Sequence, residues 1–275
     1  GVTRLPFTPE HHAAAAKIKE WMKDTNLNIH IDAAGTIIGT REGPADSPVL
    51  LFGSHQDSVR NGGKYDGIMG ILLPILALRK IGKMQLSYSV QVMAFADEEG
   101  VRFPTALIGP RALAGNFDPA VLDLMDQDGI SIHDAMVDFG LSPNEISSLD
   151  LRNTKIMGYV ETHIEQGPVL EDNNLAAGIV TKIAGATRLT VEIIGKAGHA
   201  GTVPLHLRQD ALVTASECIV KLEKIAKASA NTVVTVGEIS IKPGASNVIP
   251  GHAKFTVDLR SSENSVRKKV ENESL

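Results

Sequence analysis

The chain has 275 residues, of which 21% are charged, and a formal net charge of -5. That balance excludes the basic footprint of a nucleic-acid binder, and the longest apolar stretch, Ile68 to Leu78, contains Pro74 and is too short to span a bilayer. The single cysteine, Cys218, excludes an internal disulfide and suits a reducing, cytoplasmic setting.

Thr8-Pro9-Glu10 predicts a helix start, with Thr8 as N-cap and proline in the first turn. Ile18, Trp21 and Met22 give that helix an apolar face to about Asn26, with His11 and His12 expected on its exposed side. Two short strands follow at 27–31 and 36–40, joined through Gly35. After the Gly43-Pro44 turn come a strand at 49–52, a mostly buried helix at 66–81 and a buried strand at 90–96. Residues 108–149 read as helical with breaks at Asp118-Pro119 and Ser142-Pro143, and 156–164 as a further strand. Strand and helix alternate, which predicts an α/β fold with a mixed sheet flanked by helices and ligand chemistry at strand ends.

From about Thr181 the texture changes. Residues 188–194 alternate polar and apolar, 210–228 form an amphipathic helix, 232–241 and 253–259 are two more strands, and a charged helix starts at Ser262. Cys218 is expected in the packing of the first of these helices, and Arg267-Lys268-Lys269 on the solvated side of the second. The order β-α-β-β-α is one strand short of a split βαβ sandwich, so a smaller α+β, ferredoxin-like domain is expected. The expected division is 1–180 and 181–275.

Four polar segments stand where chemistry would. His55 leaves the 49–52 strand with Asp57 two residues on, the spacing of a metal ligand and its supporting carboxylate. Asp66 opens the buried helix after a glycine-rich loop. Asp97-Glu98-Glu99 end the strand at 90–96, where alternation would send Glu98 and Glu99 to opposite faces and divide a general base from a metal ligand. His163 sits where the strand at 156–164 hands over to a loop. Each has an ordinary reading alone: a loop histidine, an N-cap, a solvated turn. Together, three strand ends and a helix start deliver His, Asp, Glu-Glu and His to one crevice, a donor mixture suited to zinc, manganese, iron or nickel.

The segments SHQDSV, NGGKYDG, FADEEGVRFP, ETHIEQGPVLE, GKAGHAGTVP and GASNVIPG, followed by DLR, resemble the hydantoinase/carbamoylase family of dinuclear metal amidohydrolases, within the aminoacylase–carboxypeptidase metallopeptidase clan. The match runs in order over nearly the whole chain. The resemblance implies a metallopeptidase-like catalytic domain and a smaller dimerisation, or lid, domain. It implies two divalent ions, manganese or zinc with nickel or cobalt as further options. His55 and His163 would bind one ion, Asp66 would bridge both and Glu99 would bind the second, while Glu98 would be the general base and Asp57 would orient His55. From the smaller domain, His199 would stabilise the transition state, reaching a partner subunit's site in a homodimer, and Asn247, Arg260 and Gln166 would contact substrate. The implied reaction is hydrolysis of the carbamoyl (ureido) C–N bond of a small carboxylate such as an N-carbamoyl-L-amino acid or allantoate, with domain closure about a hinge near residue 180. The competing readings are an aminoacylase or dipeptidase of the same clan, or an inactive ligand-binding or dimerisation homologue. A further metal-binding histidine near the family's C-terminus has no counterpart here, which leads to the expectation of a truncated chain.

Overall fold

A computed structural model describes residues 1–274, in two compact units that divide between Asn173 and Asn174, ahead of the expected residue 180. In the first unit, helix α1 (Pro9–Lys23) begins as its cap dictates: Thr8 is extended and its hydroxyl accepts the His11 N–H. Its buried stripe is His11, Ala15, Ile18 and Met22. His11 is therefore not on the exposed side, as the residue type suggested, because helical spacing carries it onto the same face as Ile18 and Met22.

Strands β1 (Asn28–Ile31), β2 (Ile37–Arg41) and β3 (Val49–His55), helix α2 (Ile68–Ile81), strand β4 (Ser89–Phe95), helices α3 (Ile108–Leu113) and α4 (Ile132–Asp138), strand β5 (Ile156–Val160) and the single turn α5 (Val169–Asp172) complete the unit. The sheet order is β1-β2-β4-β3-β5. β4–β3 and β3–β5 are parallel, the other pairs antiparallel, so the sheet is mixed. The parallel trio ends on a common edge, and that edge releases His55, the Asp97–Glu99 run and the segment leading to His163. One face is covered by α1 and α2, with Ile18, Met22, Ile71, Ile75 and Val92 buried together. On the other face, Leu51, Met93, Phe95 and Leu113 form a second cluster. Each large apolar side chain so buried stabilises the fold by about 1.5–3 kcal/mol.

Three element bounds differ from expectation. The 108–149 region holds only α3, α4 and the 3-10 turns Pro119–Asp123 and Pro143–Ser148, because each Pro starts a turn that cannot extend backwards through its missing N–H. β5 stops at Val160, leaving His163 in the following loop. α2 starts at Ile68 after Gly67, with no side-chain cap, so Asp66 is not spent on the helix.

The second unit contains β6 (Gly185–Ile194), β7 (Gly198–His199), α6 (Ala211–Ala228), β8 (Thr232–Thr235), β9 (Ile239–Lys242), β10 (Val248–Ile249), β11 (His252–Ser261) and α7 (Asn264–Ser274). β6, β8 and β9 all pair antiparallel with β11. The single strand expected at 232–241 is broken into β8 and β9 around Gly237. Alternating Ala253, Phe255 and Val257 of β11 pack against Ala211, Ala215 and Leu222 of α6, and Cys218 lies half-buried beside them. Arg267 is not freely solvated as expected: its guanidinium hydrogen-bonds the Thr187 hydroxyl of β6. No helix among the described residues is long and apolar enough to cross a membrane.

Candidate metal centre

His55 is the last residue of β3 and is buried. Its Nδ1 lies 3.0 Å from the backbone carbonyl oxygen of Asp57. His163 Nδ1 lies 2.8 Å from the carbonyl oxygen of Ile164. A carbonyl only accepts, so in both rings Nδ1 carries a hydrogen, and in the neutral imidazole Nε2 is then the atom that presents a lone pair. The two Nε2 atoms are 3.4 Å apart. Asp66 Oδ1 is 3.6 Å from His55 Nε2 and 3.2 Å from His163 Nε2. Asp66 is buried, and Oδ1 has no hydrogen-bond partner, whereas Oδ2 accepts 2.9 Å from Gln166 Nε2. With both rings neutral, two imidazole nitrogens and a carboxylate oxygen converge here. That arrangement is costly in an apolar setting and is satisfied by a cation, and two imidazoles with one carboxylate form a transition-metal donor set rather than a calcium or magnesium one.

A second group combines His55 with Glu98 and Glu99, whose ligand atoms lie within 4.8 Å of one another. The expectation that strand alternation separates the two acids does not hold. β4 ends at Phe95, and Asp97 takes a φ of 51°, so both carboxylates leave from a loop and turn to the same side. That loop is held by Asp57, whose two carboxylate oxygens accept the N–H groups of Glu98 and Glu99 at 3.1 Å each. Asp57 therefore orients His55 mainly through its backbone carbonyl, since its carboxylate stands 3.8 Å from Nδ1.

The local electrostatics suit cation binding. Burial pushes the Glu98 and Glu99 carboxyls upward, against the pull of His55, and neighbouring acids push the same way. Burial also raises Asp57, outweighing its two N–H hydrogen bonds. Asp97 is fully buried with neither carboxylate oxygen hydrogen-bonded, and burial, then the nearby Asp57 charge, holds it well above the usual carboxylate range. A cavity of about 460 Å³ adjoins the centre, lined by Leu51, Met93, Phe95 and Leu113 with His55 and Glu98 at its polar end.

The remaining expected site residues lie in the second unit. β7 and β10 form a two-stranded ladder that pairs His199 with Val248, and the Ala200 N–H donates to the Asn247 carbonyl, which brings His199 and Asn247 together. His199 Nδ1 accepts the Gly201 N–H at 3.0 Å, so its Nε2 carries the hydrogen and is a donor. Arg260 stands apart from them on β11, where Asp258 accepts from its Nε at 2.8 Å and from Nη2 at 3.2 Å.

Two residues of the first unit escape a reading of the sequence. Gly67 has a φ of 68°, and a Cβ there would meet the His55 carbonyl oxygen at 2.4 Å and Nδ1 of its ring at 2.5 Å. Glu161 binds Ser54 and Tyr159 beside the centre. In the sequence Glu161 is marked by its place at the head of the ETHIEQGPVLE segment, two positions before His163.

A family model described as a peptidase dimerisation domain matches residues 181–274. The N-carbamoyl-L-amino acid amidohydrolase of Geobacillus stearothermophilus is 41% identical over 273 residues, covering 98% of this chain and 67% of that protein. An allantoate deiminase of Arabidopsis thaliana is 42% identical over 293 residues, covering 97% of this chain and 56% of that protein. Among solved structures, a hydantoinase/carbamoylase family amidase from Burkholderia multivorans superposes with a TM-score of 0.90 at 30% identity, covering 100% of this chain and 67% of that one. The chain spans about two thirds of the length of the bacterial relatives and 56% of the plant one.

Proposed function

The chain belongs to the hydantoinase/carbamoylase family of amidohydrolases, and from that premise we propose that it hydrolyses the carbamoyl C–N bond of a small carboxylate substrate, an N-carbamoyl-L-amino acid or allantoate, with two divalent ions. The observation that carries this reading is the convergence of three potential donor atoms, His55 Nε2, His163 Nε2 and Asp66 Oδ1, beside a loop bearing two free carboxylates. His55 and His163 would hold one ion, Asp66 would bridge, and Glu99 would hold the second; manganese and zinc are the ions that best suit these donors. When bound, such ions bring the pKa of a water toward neutrality and polarise a carbonyl.

The chain's own residues do the rest. Glu98 accepts a proton from the attacking water and returns it to the departing nitrogen, a role for which its burial-raised carboxyl is suited. Asp57 fixes Glu98 and Glu99 through their backbone N–H groups. His199, as an Nε2–H donor, is assigned to the developing oxyanion. Asn247, Gln166 and Arg260 are assigned to the substrate, the guanidinium matching a carboxylate bidentately. The family model on the second unit supports a homodimer formed through that unit.

The test is ammonia release from a panel of N-carbamoyl-L-amino acids, allantoate and ureidoglycolate, with manganese or zinc supplied to the full chain. Glu98→Gln is expected to lower turnover by about 10²–10⁴-fold, the usual worth of a positioned general base, while metal content stays at the parent's level. Undiminished turnover in that variant sinks the assignment.

A further inference from the structure

The pairing of β3 with β5 ends at Phe52↔Val160. His55 lies three residues beyond Phe52 and His163 three beyond Val160, at the same end of that parallel ladder. Gly53 to His55 stay paired with β4, but past Phe52↔Val160 no ladder hydrogen bond joins the β3 exit to the β5 exit, yet the Nε2 atoms of His55 and His163 are 3.4 Å apart.

Glu161 spans the gap. Its Oε1 accepts from the Ser54 hydroxyl at 2.6 Å, and Ser54 immediately precedes His55. Its Oε2 accepts from the Tyr159 hydroxyl at 2.8 Å, and that hydroxyl also lies 3.0 Å from the Gly53 carbonyl oxygen. One carboxylate thus ties the residue before His55 to the strand that leads to His163, with both oxygens occupied. The joint has a floor as well. A Cβ on Gly70 of α2 would sit 2.6 Å from Ser54 Cβ and 2.6 Å from the Thr162 carbonyl oxygen, so the helix presses directly on both exits.

We propose that Glu161 is a positioning residue that clamps the exits of β3 and β5 and so sets the His55–His163 spacing that one divalent ion requires. The inference rests on the metal reading above, and it extends to Ser54 and Tyr159 as the two anchors of the clamp. Supporting hydrogen bonds of this kind govern how well a ligand set is pre-organised, and their loss costs about 10–100-fold in metal affinity.

The experiment is a calorimetric titration of the metal-stripped full chain with manganese, run on the parent and on Glu161→Ala, Glu161→Gln, Ser54→Ala, Tyr159→Phe and His163→Ala, with thermal unfolding of each apoprotein alongside. Expected is a loss of about 10–100-fold for one ion in Glu161→Ala, little change in the other, and recovery of most of the loss in Glu161→Gln, whose amide oxygen still accepts. Ser54→Ala and Tyr159→Phe, each removing one hydroxyl, should give smaller losses for the same ion. Parent affinity in Glu161→Ala overturns the inference, as does equal weakening of both ions together with a lowered apoprotein midpoint. Should Glu161→Ala not fold, parent affinity in both hydroxyl variants overturns it instead. A parent that binds no ion, or a His163→Ala protein that keeps both, overturns the metal reading and this inference with it.

Discussion

The His11 imidazole is fully buried, with Nδ1 accepting the Phe7 N–H at 2.9 Å and its ring stacked on Phe139 at 4.8 Å between centroids. Burial pulls its pKa from 6.5 down to about 4, with Arg4 and His12 adding to the effect and Gln56 opposing it. The folded chain therefore holds His11 neutral where the unfolded chain protonates it. The stability this contributes, about 3 kcal/mol, is present above pH 6.5 and lost as the pH falls toward 4. Asp32 works in the opposite sense. Burial raises it from 3.8 to about 6, despite hydrogen bonds from the Thr36 and Ala34 N–H groups, so its contribution is present below pH 3.8 and is lost as the pH rises through 6. Urea unfolding across this range should separate the two. The parent's advantage over His11→Asn is expected to shrink by about 3 kcal/mol between pH 6.5 and 4, and its advantage over Asp32→Asn to shrink by a similar amount from pH 4 to 6. Differences that do not vary with pH would remove both assignments. The signal for His11 was in the sequence: it shares the helical stripe of Ile18 and Met22, but its residue type argued for the surface and position won.

At the scale of elements, β3, β4 and β5 are legible as apolar runs, and so is the convergence of their polar ends, because parallel neighbours must release their chains on one edge. What alternation could not deliver is the geometry just past a strand end. Asp97 turns through the left-handed region, which places Glu98 and Glu99 on one side, and no local pattern announces that turn. Nor does sequence announce Gly67, whose constraint comes from His55, twelve positions earlier and in contact only through the fold. Gly67→Ala combines a left-handed backbone with an overlap against the His55 carbonyl and ring, so a loss of about 2 kcal/mol or more is expected, together with weakened metal binding. Gly82→Ala, at the other end of α2, is the control. Its φ is 57° but nothing lies within 4 Å of the added Cβ, so the backbone cost alone, about 1 kcal/mol, should appear with metal affinity intact. Thermal unfolding with metal titration of both variants checks the contrast, and equal effects of the two on metal binding would mean that Gly67 does not act through His55.

At the scale of the whole molecule, the two units have separate cores: α1, α2 and the mixed sheet in the first, α6 and the β11-centred sheet in the second. The candidate ion ligands His55, Asp66, Glu99 and His163, and the candidate general base Glu98, all belong to the first. The match to a peptidase dimerisation domain belongs to the second. Binding stabilises whatever unit holds the ligand, by about 2.7 kcal/mol at a hundredfold excess over Kd, which for a unit of this size moves a midpoint by about 5–10 °C. Self-association instead makes a midpoint depend on protein concentration. Calorimetric unfolding should therefore resolve two transitions that answer to different variables. Manganese or zinc should raise one by about 5–10 °C and leave the other in place, while dilution should lower the second and not the first. His163→Ala should shrink the metal response without touching the concentration response, because it removes a ligand of one ion and no residue of the second unit. If metal and dilution instead act on the same transition, the two functions are not divided between the units as assigned.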